Sequence, residues 1–104
     1  MEYFHTTTAT NVTLSIVLAA EQGLTHFLTA VSASYSLAPV GGRLSVLDGT
    51  TPIFDVDIVV QNLPTIVLAD NPLHATQGNA MEIKLAPGGL ANTAKLNVFG
   101  YSRM

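Results

Sequence analysis

The stretch Ala80–Tyr101, AMEIKLAPGGLANTAKLNVFGY, constrains this chain more than any other. Met81, Ile83 and Leu85 alternate with Glu82 and Lys84; Ala94, Leu96 and Val98 alternate with Lys95, Asn97 and Phe99. A period of two puts successive side chains on opposite sides of an extended backbone, so each run reads as a strand with one apolar face. Between them Pro87-Gly88-Gly89 cannot continue a strand and is permissive for positive φ. The stretch predicts an antiparallel hairpin with a wide loop, and the rest of the chain reads as sheet built onto it.

The same periodicity recurs upstream. Ile53–Val60 places Phe54, Val56, Ile58 and Val60 on an inner face and Asp55 and Asp57 outside, and Pro52 opens it. Asp48-Gly49 marks a turn between this run and the short strand Arg43–Leu47. Val12–Ala20 alternates weakly and is rich in β-branched residues, which favours strand over the rival helix that Ala19, Ala20 and Gly23 would suit. Leu24–Ser36 is the longest strand candidate. Strict alternation puts Thr25, Phe27, Thr29, Val31, Ala33 and Tyr35 on one face and Leu24, His26, Leu28, Ala30, Ser32 and Ser34 on the other. Thr65–Leu68 is a further short strand, and Asp70–Asn79 reads as a loop. Seven or eight short strands separated by Gly, Pro, Asn and Asp predict an all-β chain, an antiparallel β-sandwich of jelly-roll or immunoglobulin-like type. Residues 1–11 read as an N-terminal arm or edge strand, and 12–104 as a single β-sandwich domain.

Charge narrows the functional classes. Only 11% of the 104 residues are charged, against roughly 25% in an average soluble domain. Thr, Ser, Asn and Gly take their place, and these tolerate burial in a contact because one or two hydrogen bonds satisfy them. Such a surface predicts an assembly. Four basic residues and a net charge of −3 argue against nucleic acid, which needs clustered cations to displace counterions. With no cysteine, disulfides, thiolate chemistry and Cys-bound zinc are excluded. The apolar run Val12–Ala20 is far short of the ~20 residues a membrane helix needs. It also lacks a positive region before it, the first basic residue being Arg43, so it reads poorly as a signal peptide.

No constellation points to catalysis. Asp55 and Asp57 share a strand face, a spacing that suits a carboxylate pair, a cation held with oxygens from a neighbouring loop or, more simply, two solvated charges that discourage sheet pairing. His5, His26 and His74 have no metal-ligand spacing, and His26, on an uncharged strand, reads as a buried or interfacial side chain with a hydrogen bond. The chain therefore reads as a non-enzyme that needs no cofactor. Candidate partner contacts are Tyr3 and Phe4 in the arm, Leu90 at the loop tip, and Phe99 and Tyr101 on the charged side of the last strand. The alternative for the last two is a sheet face covered by the chain's own arm.

The segments VSASYS, GGRLSVLDG and EIKLAPGGLANTAKLNVFGY resemble a loose group of small virion proteins of tailed bacteriophages. There a "SYS"-like strand end precedes a "GGxLxVxDG" hairpin, and the chain closes on "LxxGGxxxxxKLNVxGY". Val31–Asp48 and Met81–Tyr101 carry the likeness most clearly; the uncharged Val12–Ser36 region and the aromatic arm depart from it. The resemblance implies a β-sandwich on the capsid surface of the virion, a decoration (cement) protein that forms homo-oligomers, dimers or trimers, and binds the major capsid protein. A fibre or carbohydrate-binding module is the alternative. Neither implies nucleic acid or membrane as partner.

Overall fold

The computed structural model describes residues 1–104 as nine strands with no helix: β1 (Glu2–Thr10), β2 (Leu14–Leu18), β3 (Thr25–Tyr35), β4 (Gly42–Asp48), β5 (Thr51–Ile58), β6 (Asn62–Val67), β7 (Leu73–His74), β8 (Met81–Leu85) and β9 (Thr93–Arg103). They form two antiparallel sheets. The larger has the order β1-β9-β3-β6, with the two-residue β7 also on β3; the smaller has the order β2-β8-β4-β5. The sheets pack face to face as a β-sandwich.

The alternating residues build the core. From the smaller sheet Leu14, Ile16, Leu18, Leu44, Val46, Ile58, Met81, Ile83 and Leu85 point inward; from the larger, Leu28, Val31, Ala33, Tyr35, Ala94, Leu96 and Val98 meet them. Val12–Ala20 is thus a strand at Leu14–Leu18, with Ser15 and Val17 outside. Asp48-Gly49 does turn a hairpin. The loop is Gly49-Thr50, closed by Asp48 opposite Thr51, and Gly49 takes the positive φ of 61° that a two-residue loop requires at its first position.

The predicted hairpin of Ala80–Tyr101 does not form. β8 pairs with β2 and β4, whereas β9 pairs with β1 and β3. The Pro-Gly-Gly segment carries the chain from one sheet to the other, and the two apolar faces meet across the sandwich rather than side by side. Alternation specifies which side chains go inside, and both arrangements satisfy it.

A second correction concerns β3. His26 and Leu28 point inward, but so do Val31, Ala33 and Tyr35. The register against β9 shifts between Leu28 and Ala30, a β-bulge at Thr29 that exchanges the two faces of the strand. Phe27 therefore lies on the opposite face from Val31. The inner set of β5 also ends at Ile58, since the strand stops there and Val60 is exposed.

Asp48 fixes the β4–β5 turn to the segment before β8. Its carboxylate accepts hydrogen bonds from the Thr76 hydroxyl (2.7 Å) and the Asn79 amide (2.9 Å). These bonds, the Thr76 one foremost, hold the carboxyl below the usual carboxylate range. A lowered folded-state pKa means stabilisation present above the unfolded value of ~3.9 and lost as pH falls through the folded value. Asp48→Asn should melt below the wild type at neutral pH, and the two melting curves should converge in acid. Thermal melts from about pH 7 to about pH 2 test this; a constant difference over that range would assign the bonds no part in acid stability.

Candidate functional site

The two outer faces of the sandwich differ in chemistry. On the smaller sheet Arg43, Asp55, Asp57, Glu82 and Lys84 all point outward. The guanidinium of Arg43 binds the Asp55 carboxylate through two hydrogen bonds, the Nε–Oδ1 one being 2.7 Å. That pairing holds Asp55 below its ordinary pKa, and as an exposed ion pair it contributes little to stability. It also occupies one member of the carboxylate pair that the spacing of β5 raised, and Glu82 accepts a hydrogen bond from the Ser15 hydroxyl.

The outer face of the larger sheet is nearly neutral. From β1 it shows Glu2, Phe4, Thr6, Thr8 and Thr10; from β9, Thr93, Lys95, Asn97, Phe99, Tyr101 and Arg103; from β3, Thr25, Phe27, Ala30, Ser32 and Ser34. Only Glu2, Lys95 and Arg103 carry charge. Aromatic rings cluster at one end. Phe4 lies against its cross-strand neighbour Phe99, with ring centroids 4.6 Å apart. Phe27 stacks on Tyr101 at 4.7 Å and meets His74 at 5.6 Å. The Arg103 guanidinium stands over Phe27 at 5.0 Å, a cation–π arrangement. Phe4 and Phe99 remain 55% and 42% exposed, so the paired rings stay open to solvent. Beside them a cleft of 420 Å³ is lined by Glu2, Tyr3, Phe4, Thr29, Phe99 and Gly100.

The candidate contact residues separate into three places. Phe4, Phe99 and Tyr101 share the neutral face. Tyr3 points to the other side of β1, into the sandwich, where its hydroxyl donates to the Phe27 carbonyl across Gly100. Burial pushes its phenol well above the usual tyrosine range, so it stays a donor. Leu90, 87% exposed, stands at the tip of the β8–β9 connection. Phe99 lies six residues along β9 from Thr93, about 20 Å of strand, so Leu90 belongs to a different end of the molecule. The arm does not cover the sheet. It extends the sheet as edge strand β1, and the outer face stays open. Phe27, His74 and Arg103 join the aromatic cluster unforeseen. The bulge at Thr29 hid Phe27; the other two follow only from pairing partners.

The histidines are dispersed. His5 stacks on Tyr3. His26 is buried, and both ring nitrogens are engaged: Nε2 donates to the Ala19 carbonyl (2.8 Å), and Nδ1 accepts from the Ser102 hydroxyl (2.6 Å). No protein-family model matches the chain, and a search of curated proteins finds no match.

Proposed function

We propose that the protein is a non-enzymatic structural component of a tailed-phage virion, a capsid decoration protein that self-associates and binds the major capsid protein on the head surface. One observation carries this reading: the larger sheet has an open outer face of Thr, Ser, Asn and paired aromatics beside a conventionally charged smaller sheet. Depletion of charge together with clustered exposed aromatics is the composition of protein contact surfaces. Short neutral side chains shed water at low cost, and the rings supply the anchors.

Particles purified from cells whose DNA encodes this chain should contain it, with gold-labelled antibody on the heads. Label on tails alone would support the fibre reading, and unlabelled particles would dismiss both. Phe4→Ser and Phe99→Ser should each weaken attachment about 30-fold, the loss of ~2 kcal/mol expected for an aromatic anchor. The isolated protomer should melt within a few degrees of wild type, because both rings are already exposed.

The second reading, a fibre or carbohydrate-binding module, draws on the cleft at Phe4 and Phe99. An aromatic ring next to the Glu2 carboxylate and the Thr29 hydroxyl suits a sugar ring, and the loops offer no such platform. Binding of the isolated chain to host envelopes, abolished by Phe99→Ala, would favour it over attachment to heads.

A further inference from the structure

We infer that β1 is a self-pairing edge: two copies of the chain join by antiparallel β1–β1 hydrogen bonding about a two-fold axis at Thr6, so that their larger sheets run on as one. An edge strand exposes unpaired N–H and C=O groups, and chains that stay apart interrupt their edges with proline, charge, bulges or short length. Three of the four edges here are interrupted in this way. β5 carries Pro52, Asp55 and Asp57, with a register shift beside Leu47. β6 carries Pro64 and a register shift against β3. β2 is only five residues long. β1 carries a single charge, Glu2 at its very end, and none of the other devices. It is nine residues long, free of proline and lysine, and in unbroken register with β9 from Glu2 to Thr10.

The phase of the ladder shows which groups the edge offers. Ser102 N–H donates to the Met1 carbonyl at one end, and Asn11 N–H donates to the Asn92 carbonyl at the other. Hydrogen-bonded pairs recur every second residue in an antiparallel ladder. Tyr3, His5, Thr7 and Ala9 therefore bond to β9, and the N–H and C=O groups of Glu2, Phe4, Thr6, Thr8 and Thr10 face away from it. All five residues are exposed. A two-fold axis at Thr6 sets Thr6 against Thr6 of the second copy, Phe4 against Thr8 and Glu2 against Thr10. Every free backbone group of the strand then has a partner. The two Glu2 carboxylates, the only charges on the edge, lie at opposite ends of the junction. The neutral outer faces merge, with a Phe4–Phe99 pair on each side.

The inference deepens the self-association in the virion reading, and rests on that reading only in taking the chain to associate with itself. Its test uses the isolated chain, so its failure leaves the location on a particle undecided, and a particle without the protein leaves the dimer undisturbed. Light scattering should return a dimer for the wild type and a monomer for Thr6→Pro, which removes an edge N–H, and for Thr6→Lys, which opposes two ammonium groups across the axis. Circular dichroism should show both folded; if the proline variant is not, the lysine variant decides. The chain has no cysteine, so Thr6→Cys supplies the only thiol. Directly opposed hydrogen-bonded residues have Cα atoms about 5.5 Å apart, within disulfide reach. Oxidised Thr6→Cys should cross-link roughly tenfold more than His5→Cys or Thr7→Cys, which meet their own copies only in shifted registers. A monomer at all concentrations, a trimer, a cross-link strongest at His5→Cys or Thr7→Cys, or a dimer indifferent to both edge variants would each overturn the inference.

Discussion

Gly100→Ala should cost about 4 kcal/mol, the largest loss expected from adding one methyl group anywhere in β9. Gly100 lies directly opposite Tyr3 on the inner face, and the phenol ring crosses it to reach the Phe27 carbonyl. A Cβ at this position would stand 2.5 Å from Tyr3 Cζ, and closer still to the Tyr3 hydroxyl and the Phe27 carbonyl oxygen. The ring can swing away, but the Phe27 oxygen belongs to the paired backbone of β3 and cannot. The substitution thus combines overpacking, at the upper end of about 1–3 kcal/mol because the backbone oxygen cannot move, with loss of the hydroxyl bond, about 1 kcal/mol. A domain of this size has roughly 5–15 kcal/mol in all, so the melting temperature should fall by roughly 15–30 °C. Tyr3→Phe, which keeps the ring, should lose only the hydroxyl's share. In the Tyr3→Ala, Gly100→Ala double variant the losses should be less than additive, because removing the ring relieves part of the overlap. A urea titration in which Gly100→Ala unfolds with the wild type would mean that Tyr3 does not cross that strand.

This contact joins three adjacent strands of the larger sheet, the edge strand β1 with β9 and β3, just behind the aromatic cluster. Phe4 and Phe99 project from one side of β1 and β9, and Tyr3 and Gly100, their immediate neighbours, lock the other side. The adjacent pair Tyr3-Phe4 therefore divides its labour between fold and surface. Read from sequence, both residues look like anchors of a loose arm. The pleat alone separates them, and it does so only once β1 is known to be a strand paired at Tyr3↔Gly100.

Much of the remaining fold follows the same division between what periodicity specifies and what pairing specifies. Leu14, Ile16 and Leu18, like Met81, Ile83 and Leu85, show their inner face in the chain itself, because burial on one side of a strand imposes a period of two. The choice of sheet is not written there. β8 and β9 have the pattern of a hairpin, yet the loop between them passes from one sheet to the other. In β3 strict alternation fails for a sharper reason. Its inward positions His26, Leu28, Val31, Ala33 and Tyr35 contain one step of three, and a histidine at the head of the series disguised it. The aromatic cluster stayed incomplete as a result, since Phe27 reaches Tyr101 only after the bulge turns it outward. The neutral character of the surface was legible as a deficit of charge. Its confinement to one face depends on β4, β5 and β8 sharing a sheet and collecting five of the charged residues there.

Asn92→Ala should cost about 3 kcal/mol, although Asn92 lies in the connection between β8 and β9. Its side chain is 2% exposed and uses its full hydrogen-bonding capacity. Oδ1 accepts from the Leu37 N–H (3.0 Å) and the Ser36 hydroxyl (3.3 Å); Nδ2 donates to the carbonyls of Leu37 (3.0 Å) and Gly88 (3.2 Å). Its own carbonyl accepts from Asn11 N–H. The side-chain amide thus ties the exit of β3 to the crossing from β8 to β9 and holds the loop that carries Leu90 outward, while the backbone carbonyl holds the end of β1. Its principal partner, Leu37, is 55 residues away in the chain, so no local pattern could disclose it. The isosteric Asn92→Asp separates hydrogen bonding from packing. An ionised carboxylate would face the Leu37 and Gly88 carbonyls with nothing to donate, in a site where burial already disfavours charge. Both effects raise the carboxyl pKa in the folded state, so the penalty appears as pH rises above the unfolded value of ~3.9 and vanishes below it. Asn92→Asp should therefore be less stable than Asn92→Ala at neutral pH and regain stability as the solution is acidified. The wild type has the opposite slope, because the carboxylates of Asp48 and Asp55 are held low. Urea midpoints of the two variants on either side of ~pH 4 decide the matter; equal midpoints for Asp and Ala at neutral pH would show that packing, rather than the donated hydrogen bonds, is what Asn92 supplies.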